Sequence, residues 1–253
     1  NINKSLSLVG VKENPPTILG RFEINTSGKV NIKNMNFQVP VPVANPVGNS
    51  ADSININKVG ELYVDNCNFN GSELFLNGGR GIISNDSQSN VTVENSTFSN
   101  GYYTTIQGKY KELNIKDTTI SNCKSGINFQ GGNNLTITNT NISVVAKGNS
   151  NDTYAVRFAS KSANTGNNMT LNGGTYSVDK GSFTAEGETY HSAIIVRSGA
   201  SGELKANNLS LGGDVVNLST TTLDATNNWW GDASGPKDTV PNDGSILNQN
   251  PNG

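Results

Sequence analysis

Short runs of alternating apolar and polar residues, each closed by an asparagine-type residue, return eight times along the chain. In each copy, apolar residues hold the first and third positions, and Asn, Asp or Gly holds the fifth. The copies begin at Val30, Leu62, Val91, Leu113, Leu135, Met169, Leu204 and Leu223. Residues two apart lie on one side of a strand, so each copy predicts a β-strand that ends in a turn.

The fifth position is Asn in six copies, Asp in one and Gly in one. All three residue types tolerate the left-handed backbone that a sharp corner between strands requires. Asn amides can also bond to each other when coils stack. The column Asn34, Asn66, Asn95, Asp117 and Asn139 therefore predicts a polar ladder, in which Asn95 and Asn139 have little exposure and bond between coils.

The copies are separated by irregular distances, the shortest close to one turn of a three-stranded parallel β-helix. A second apolar run lies between successive copies, in the segments 53–56, 81–83, 105–107, 126–129, 155–158, 193–196 and 215–218. Repeats of this kind predict a solenoid. We expect an all-β parallel β-helix of about nine coils with an asparagine ladder and loop insertions. It covers residues 1–236, and residues 237–253 form a C-terminal tail or cap.

Composition narrows the function classes. Charged residues make up 15% of the chain and the net charge is -2, with no Lys/Arg stripe, which argues against a nucleic-acid partner. No membrane-spanning run is present. Cys67 and Cys123 are expected about two coils apart, beyond disulfide reach, and to act as small buried fillers.

The segment 227–236 reads Asn-Asn-Trp-Trp-Gly-Asp-Ala-Ser-Gly-Pro. By register, Trp230 falls in the apolar column of Phe37, Phe69 and Phe98, so we expect it to be buried, with Trp229 covering the open end or packing on the tail. This segment and the repeats resemble right-handed parallel β-helix proteins of bacterial cell surfaces and secretions, in the wider pectate-lyase-like superfamily. The resemblance implies an extracellular, cell-surface or secreted protein that contacts polysaccharide, with further domains in a longer chain. It does not fix an activity, because the superfamily includes lyases, hydrolases, epimerases, adhesins and phage tailspikes.

The catalytic residues of those relatives are mostly missing. Polygalacturonase-like members cluster three aspartates with a His and an Arg-x-Lys pair, whereas this chain has no Asp-Asp pair, no Arg-x-Lys and one histidine, His191. Arg157, on the outward side of a second strand, is the one candidate for the base of a lyase. Its column reads Asn55, Ile83, Gln107, Asn128, Arg157 and Ile195, without the paired carboxylates that acid–base or metal-assisted chemistry needs.

Two kinds of binding residue remain. No cofactor is predicted, although Asn149, Asn151 and Asp152 offer oxygen ligands in a loop that could hold calcium; the other interpretation of this loop is a polar turn. Five tyrosines in or beside turns could offer flat faces to sugar rings, namely Tyr102, Tyr103, Tyr110, Tyr154 and Tyr190. Two functions stay open: a non-catalytic module that adheres weakly to polysaccharide or a host surface, as an adhesin or scaffold, and a polysaccharide lyase or glycoside hydrolase with a divergent active site.

Overall fold

The computed structural model describes residues 1–39, 52–72, 79–146, 152–159, 165–179 and 190–235. These ranges contain 23 strands, and every pair of strands is parallel. The first strands are β1 (Leu6–Val9), β2 (Thr17–Leu19), β3 (Phe22–Asn25), β4 (Lys29–Lys33), β5 (Asn36–Gln38), β6 (Ile54–Lys58), β7 (Glu61–Asp65), β8 (Asn68–Asn70), β9 (Arg80–Ser84), β10 (Asn90–Glu94) and β11 (Thr97–Ser99). The others are β12 (Thr104–Lys116), β13 (Thr119–Cys123), β14 (Ile127–Thr138), β15 (Asn141–Val145), β16 (Thr153–Phe158), β17 (Gly166–Asn172), β18 (Thr175–Asp179), β19 (His191–Val196), β20 (Leu204–Asn207), β21 (Ser210–Gly212), β22 (Asp214–Asn217) and β23 (Leu223–Asp224).

The strands stack into three faces of a parallel β-helix. The repeat face consists of β1, β4, β7, β10, the second halves of β12 and β14, β17, β20 and β23. The short-strand face consists of β2, β5, β8, β11, β13, β15, β18 and β21. The third face consists of β3, β6, β9, the first halves of β12 and β14, β16, β19 and β22. Nine strands on the repeat face confirm the expected number of coils.

The pairing register confirms the sequence pattern. All eight copies align at their first apolar residue, from Val30 against Leu62 to Leu204 against Leu223. The alternate side chains of these strands point inward and are almost fully buried in every copy except the last, where Leu223 is partly buried. The second apolar runs pair with one another on the third face. The period-2 pattern therefore fixes which side chains build the core.

The corner after the repeat face adopts the predicted left-handed backbone in every coil that carries a copy. The φ angles are +53° at Asn34, +50° at Asn66, +50° at Asn95, +47° at Asp117, +48° at Asn139, +76° at Gly173, +58° at Asn208 and +60° at Asn227. An L-residue in this region has its Cβ close to a carbonyl oxygen, which is why Asn, Asp and Gly occupy the column.

The expected burial of the asparagine ladder is wrong. Asn95 and Asn139 are exposed, because a left-handed corner residue points its side chain away from the core. The amide bonds of this column are also less regular than expected. Asn66 donates to Asn34 Oδ1 at 2.8 Å, whereas Asn95 donates to Asp65 Oδ1 at 2.9 Å. The column is thus primarily a backbone feature, with inter-coil side-chain bonds at some rungs.

The residue after each corner asparagine points inward. Cys67 occupies this place in one coil and Ser96 and Thr118 occupy it in the next two, all three buried. Ser96 Oγ donates to the carbonyl oxygen of Glu94 at 2.7 Å, and Cys67 Sγ lies 3.3 Å from the equivalent oxygen of Asp65. Cys67 and Cys123 are free and buried, which confirms their role as small fillers, and burial raises the pKa of the Cys67 thiol to about 11.

Aromatic rings fill the column inside the short-strand face. The rings of Phe37, Phe69 and Phe98 are parallel, with centroids 4.6 and 4.3 Å apart. Trp230 packs partly buried against the core at the end of this column, next to Leu211 in register, so its expected position is confirmed and its burial is incomplete. Trp229 is 54% exposed, and the tail on which it could pack lies outside the described residues.

Candidate functional site

Seven charged and aromatic residues lie on or beside the third-face strands of four successive coils. Tyr103 immediately precedes β12, Asp152 immediately precedes β16 and Tyr190 immediately precedes β19. The strands β12, β14, β16 and β19 are neighbours in that order, so their side chains follow one another along the corner. We call this set the tyrosine–cation corner, and its members are Tyr103, Lys124, Asp152, Tyr154, Arg157, Tyr190 and Arg197.

Each cation of the corner lies over a tyrosine ring. The distances from the cation to the ring centroid are 4.7 Å for Lys124 over Tyr103, 4.9 Å for Arg157 over Tyr154 and 5.3 Å for Arg197 over Tyr190. The negative face of an aromatic ring attracts a cation at such distances, more strongly where water is excluded. Tyr103 and Tyr190 remain partly exposed, whereas Tyr154 is 4% exposed. Burial raises the pKa of the Tyr154 phenol, against the lowering effect of Arg157.

Asp152 links two of the three cations. Its Oδ2 accepts hydrogen bonds from Arg197 Nη2 and, at 3.4 Å, from Arg157 Nη1. Its Oδ1 accepts a bond of 3.1 Å from the backbone N–H of Tyr190. Arg157 also donates from Nε to Asn128 Oδ1 at 3.1 Å. Charge-assisted bonds of this kind hold both guanidinium groups in place between coils.

The third cation, Lys124, differs from the two arginines. Its residue is 3% exposed, and no ion pair or hydrogen bond to its ammonium is found among the described residues. Burial lowers the pKa of this ammonium below its ordinary value of 10.5. With Lys124, Arg157 and Arg197 against the single carboxylate of Asp152, the four charged groups of the corner carry a net charge of +2. The corner is therefore suited to an anionic or strongly polar ligand with a flat face.

The structure brings together five residues that the sequence singled out, namely Tyr103, Asp152, Tyr154, Arg157 and Tyr190. Three of the five tyrosines are corrected as ligand platforms: Tyr102, Tyr110 and Tyr154 are 1%, 0% and 4% exposed and cannot present a ring to a ligand. The Tyr102 hydroxyl bonds to Ser53 Oγ at 2.9 Å, and the Tyr110 hydroxyl donates to the carbonyl oxygen of Gln107 at 2.8 Å.

The calcium hypothesis finds no support in the contacts of Asp152, because N–H groups occupy both of its carboxylate oxygens. Asn149 and Asn151 lie outside the described residues. Within the part of the chain that the structure describes, no group of three or more His, Cys, Asp and Glu side chains could hold a metal ion.

The predicted column around Arg157 is confirmed by the strand register. Asn128 and Ile195 are its neighbours on the adjacent coils, and neither is a carboxylate. His191 begins β19, pairs with Thr153 and is partly exposed. Sequence reasoning missed Lys124 and Arg197, because each meets its tyrosine or carboxylate partner only through the register of coils separated by inserts of unequal length.

No protein-family model, curated protein or solved structure gives a significant match to this chain. What the structure establishes is therefore the class: a parallel β-helix with a cation-rich, tyrosine-lined corner. No helix long and apolar enough to cross a membrane occurs among the described residues.

Proposed function

We propose that the protein is a non-catalytic extracellular or cell-surface module that adheres weakly to polysaccharide through the tyrosine–cation corner. The observation that carries this proposal is the run of tyrosine rings and cations on successive coils. Partly exposed rings such as Tyr103 and Tyr190 can pack against the apolar face of a sugar. The cations and phenolic hydroxyls supply donors for sugar hydroxyl or acid groups. Many weak contacts of this type support attachment without any bond being broken.

The sequence resemblance to cell-surface β-helix proteins of the pectate-lyase-like superfamily supports the same proposal. Its members are secreted or surface-bound and commonly contact polysaccharide, so the location and the ligand class agree. A rod of stacked coils would also serve as a scaffold or adhesin between further domains. We place the dissociation constant between about 1 mM and 1 µM, or about -4 to -8 kcal/mol.

A polysaccharide lyase is the second candidate, with Arg157 as the base that removes a proton. The contacts of Arg157 argue against that role. Its guanidinium donates hydrogen bonds to Asn128 and Asp152 and lies over the ring of Tyr154. A base must take up a proton, and Arg157 so placed is already committed to donating hydrogen bonds.

The test measures binding of the protein to a panel of soluble and insoluble polysaccharides. The same samples are assayed for reducing ends and unsaturated products. Tyr103→Ala and Tyr190→Ala should each weaken binding about 2- to 10-fold, the range expected for one ring contact. Tyr63→Ala is the matched control, because Tyr63 also lies under a lysine, Lys33 at 4.7 Å, but on the repeat face. It should leave binding unchanged.

Two results would reject the proposal. Equal effects of Tyr63→Ala and Tyr103→Ala would mean that the corner is not the attachment site. Sustained release of unsaturated or reducing oligosaccharides, abolished by Arg157→Ala, would identify a lyase instead.

A further inference from the structure

Lys124 is a buried cation whose charge no carboxylate of the described chain balances. The other cations that lie over a tyrosine ring each have a carboxylate partner as well. Lys33 lies over Tyr63 but also pairs with Asp65 at 3.4 Å, and Arg157 and Arg197 share Asp152. Lys124 has the ring of Tyr103 as its one charge-stabilising contact among the described residues.

An ammonium group has three N–H donors, and the face of one aromatic ring can interact with at most one of them. Taking such a group out of water without acceptors is unfavourable unless a partner replaces the lost hydration. The lowered pKa of Lys124 has burial as its only cause, which agrees with the lack of a nearby carboxylate. If this side chain served only packing, Met or Leu would stabilise the fold more than Lys at the same buried site, since neither carries a charge that must be desolvated.

From these contacts we infer that Lys124 binds an oxyanion, a carboxylate or sulfate group carried by the glycan that attaches at the tyrosine–cation corner. The inference rests on the proposed function and names the ligand chemistry that the site selects. Tyr103 covers the ammonium and is itself partly exposed, so a sugar packed on this ring would bring its acidic substituent toward Lys124. Arg157 and Arg197, already paired with Asp152, then contribute long-range attraction rather than the direct contact.

The direct test follows the 13Cε resonance of Lys124 in 13C-labelled protein, assigned by its loss in Lys124→Met. Sodium sulfate and glucuronate should shift this resonance and raise the pKa of Lys124, because a bound anion favours the charged ammonium. Glucose, which lacks the charge, should do neither. A resonance that moves with sulfate and not with glucuronate assigns the site to sulfate groups, and the reverse assigns it to carboxylates. No shift with either anion overturns the inference.

Binding to matched glycans separates this inference from the proposed function. Wild type should prefer an acidic glycan over its carboxyl-reduced or desulfated form by about 10-fold, the effect of one hydrogen bond to a charged group. Lys124→Met should remove that preference. Lys111→Met, at an exposed lysine of β12, is the control and should behave as wild type.

Equal affinity of wild type for acidic and neutral forms would overturn the role of Lys124 while leaving the attachment function in place. Failure of every glycan to bind would reject the proposed function, and the sulfate titration would still decide separately whether Lys124 binds an anion. Lys124→Met is expected to fold, because it replaces a desolvated charge with an apolar side chain of similar length.

Discussion

Substitution of Asn95 tests whether the corner depends on its backbone conformation or on its side chain. Asn95 has φ +50°, is exposed, and donates one hydrogen bond of 2.9 Å to Asp65 Oδ1. Ala at this φ should cost about 1–2 kcal/mol for the left-handed conformation and about 0.5 kcal/mol for the lost exposed bond. We therefore expect Asn95→Ala to lower the free energy of unfolding by about 2 kcal/mol.

Asn95→Gly separates the two contributions. Gly loses the same side-chain bond but adopts the left-handed conformation freely, as Gly173 does in the same column with φ +76°. The Gly variant should therefore be more stable than the Ala variant by about 1 kcal/mol, even though Gly is the more flexible residue when unfolded. Asn114→Ala, on the outward side of β12, is the control and should change stability by less than about 0.5 kcal/mol.

The assay is urea unfolding followed by far-UV circular dichroism, with thermal unfolding alongside. For a chain of this size, a loss of about 2 kcal/mol corresponds to a decrease in Tm of about 4–8 °C. If Asn95→Ala and Asn95→Gly unfold at the same urea concentration as wild type, the corner carries no backbone strain. If both variants lose equal stability, the hydrogen bond and not the conformation holds the corner.

Three further predictions address the core, a buried acid and the end of the rod. Phe69→Ala should lower the free energy of unfolding by about 3–5 kcal/mol, because it opens a gap between two stacked rings, and a loss below about 1 kcal/mol in urea unfolding would contradict that packing. Burial raises the pKa of Asp52 from 3.8 to about 6, against the lowering effect of Arg80. The folded protein thus favours the protonated form of Asp52, and the contribution of this group to the free energy of unfolding is lost as pH rises through about 6. The Tm of Asp52→Asn relative to wild type should therefore rise between pH 4 and pH 7.5, by the equivalent of up to about 3 kcal/mol, and a pH-independent difference would refute this. Trp230→Ala should cost about 2 kcal/mol and remove blue-shifted fluorescence, whereas the exposed Trp229 should tolerate Ala with a loss below about 1 kcal/mol, and the reverse order in thermal unfolding would exclude the packing of this end.

The sequence predicts the coils well because the alternation of apolar and polar residues is visible within a few neighbouring positions. The apolar residues at the first and third positions identify the inward side of the strand, and the Asn at the fifth position identifies the corner. The register of Val30, Leu62 and Val91 therefore follows without knowledge of the loops. The short-strand face was harder to predict. Its strands, such as β8 and β11, have three residues each, and a single inward Phe gives no alternation to read.

A second column of asparagines shows the same limit. Asn100 donates to Asn70 Oδ1 at 2.7 Å, and Asn122 donates to Asn100 Oδ1 at 3.3 Å, at the other end of the short strands. These three residues follow the corner asparagines at unequal distances in the sequence. They become a column only when the coils are stacked, so sequence spacing alone does not reveal the bonds.

The sequence identified several residues of the candidate site but not their contacts. Tyr154 and Arg157 are three residues apart, a spacing that places side chains on opposite sides of a regular strand, so their contact does not follow from the sequence. Tyr102 and Tyr103 are adjacent, yet one is core and the other is partly exposed, and this difference depends on where strand β12 begins. Arg197 reaches Asp152 across 45 residues, a contact that depends on loop lengths rather than on residue chemistry.

The two buried thiols give the rod its own labelling probes. Cys67 lies at the corner between β7 and β8 and Cys123 at the end of β13, so they belong to different coils, and neither is accessible in the folded chain. A thiol reagent can reach each one only when its own coil opens. Because a solenoid can open coil by coil, the ratio of the two modification rates under native conditions measures which part of the rod separates first. Mass spectrometry of the two cysteine peptides would then map local opening without any introduced label.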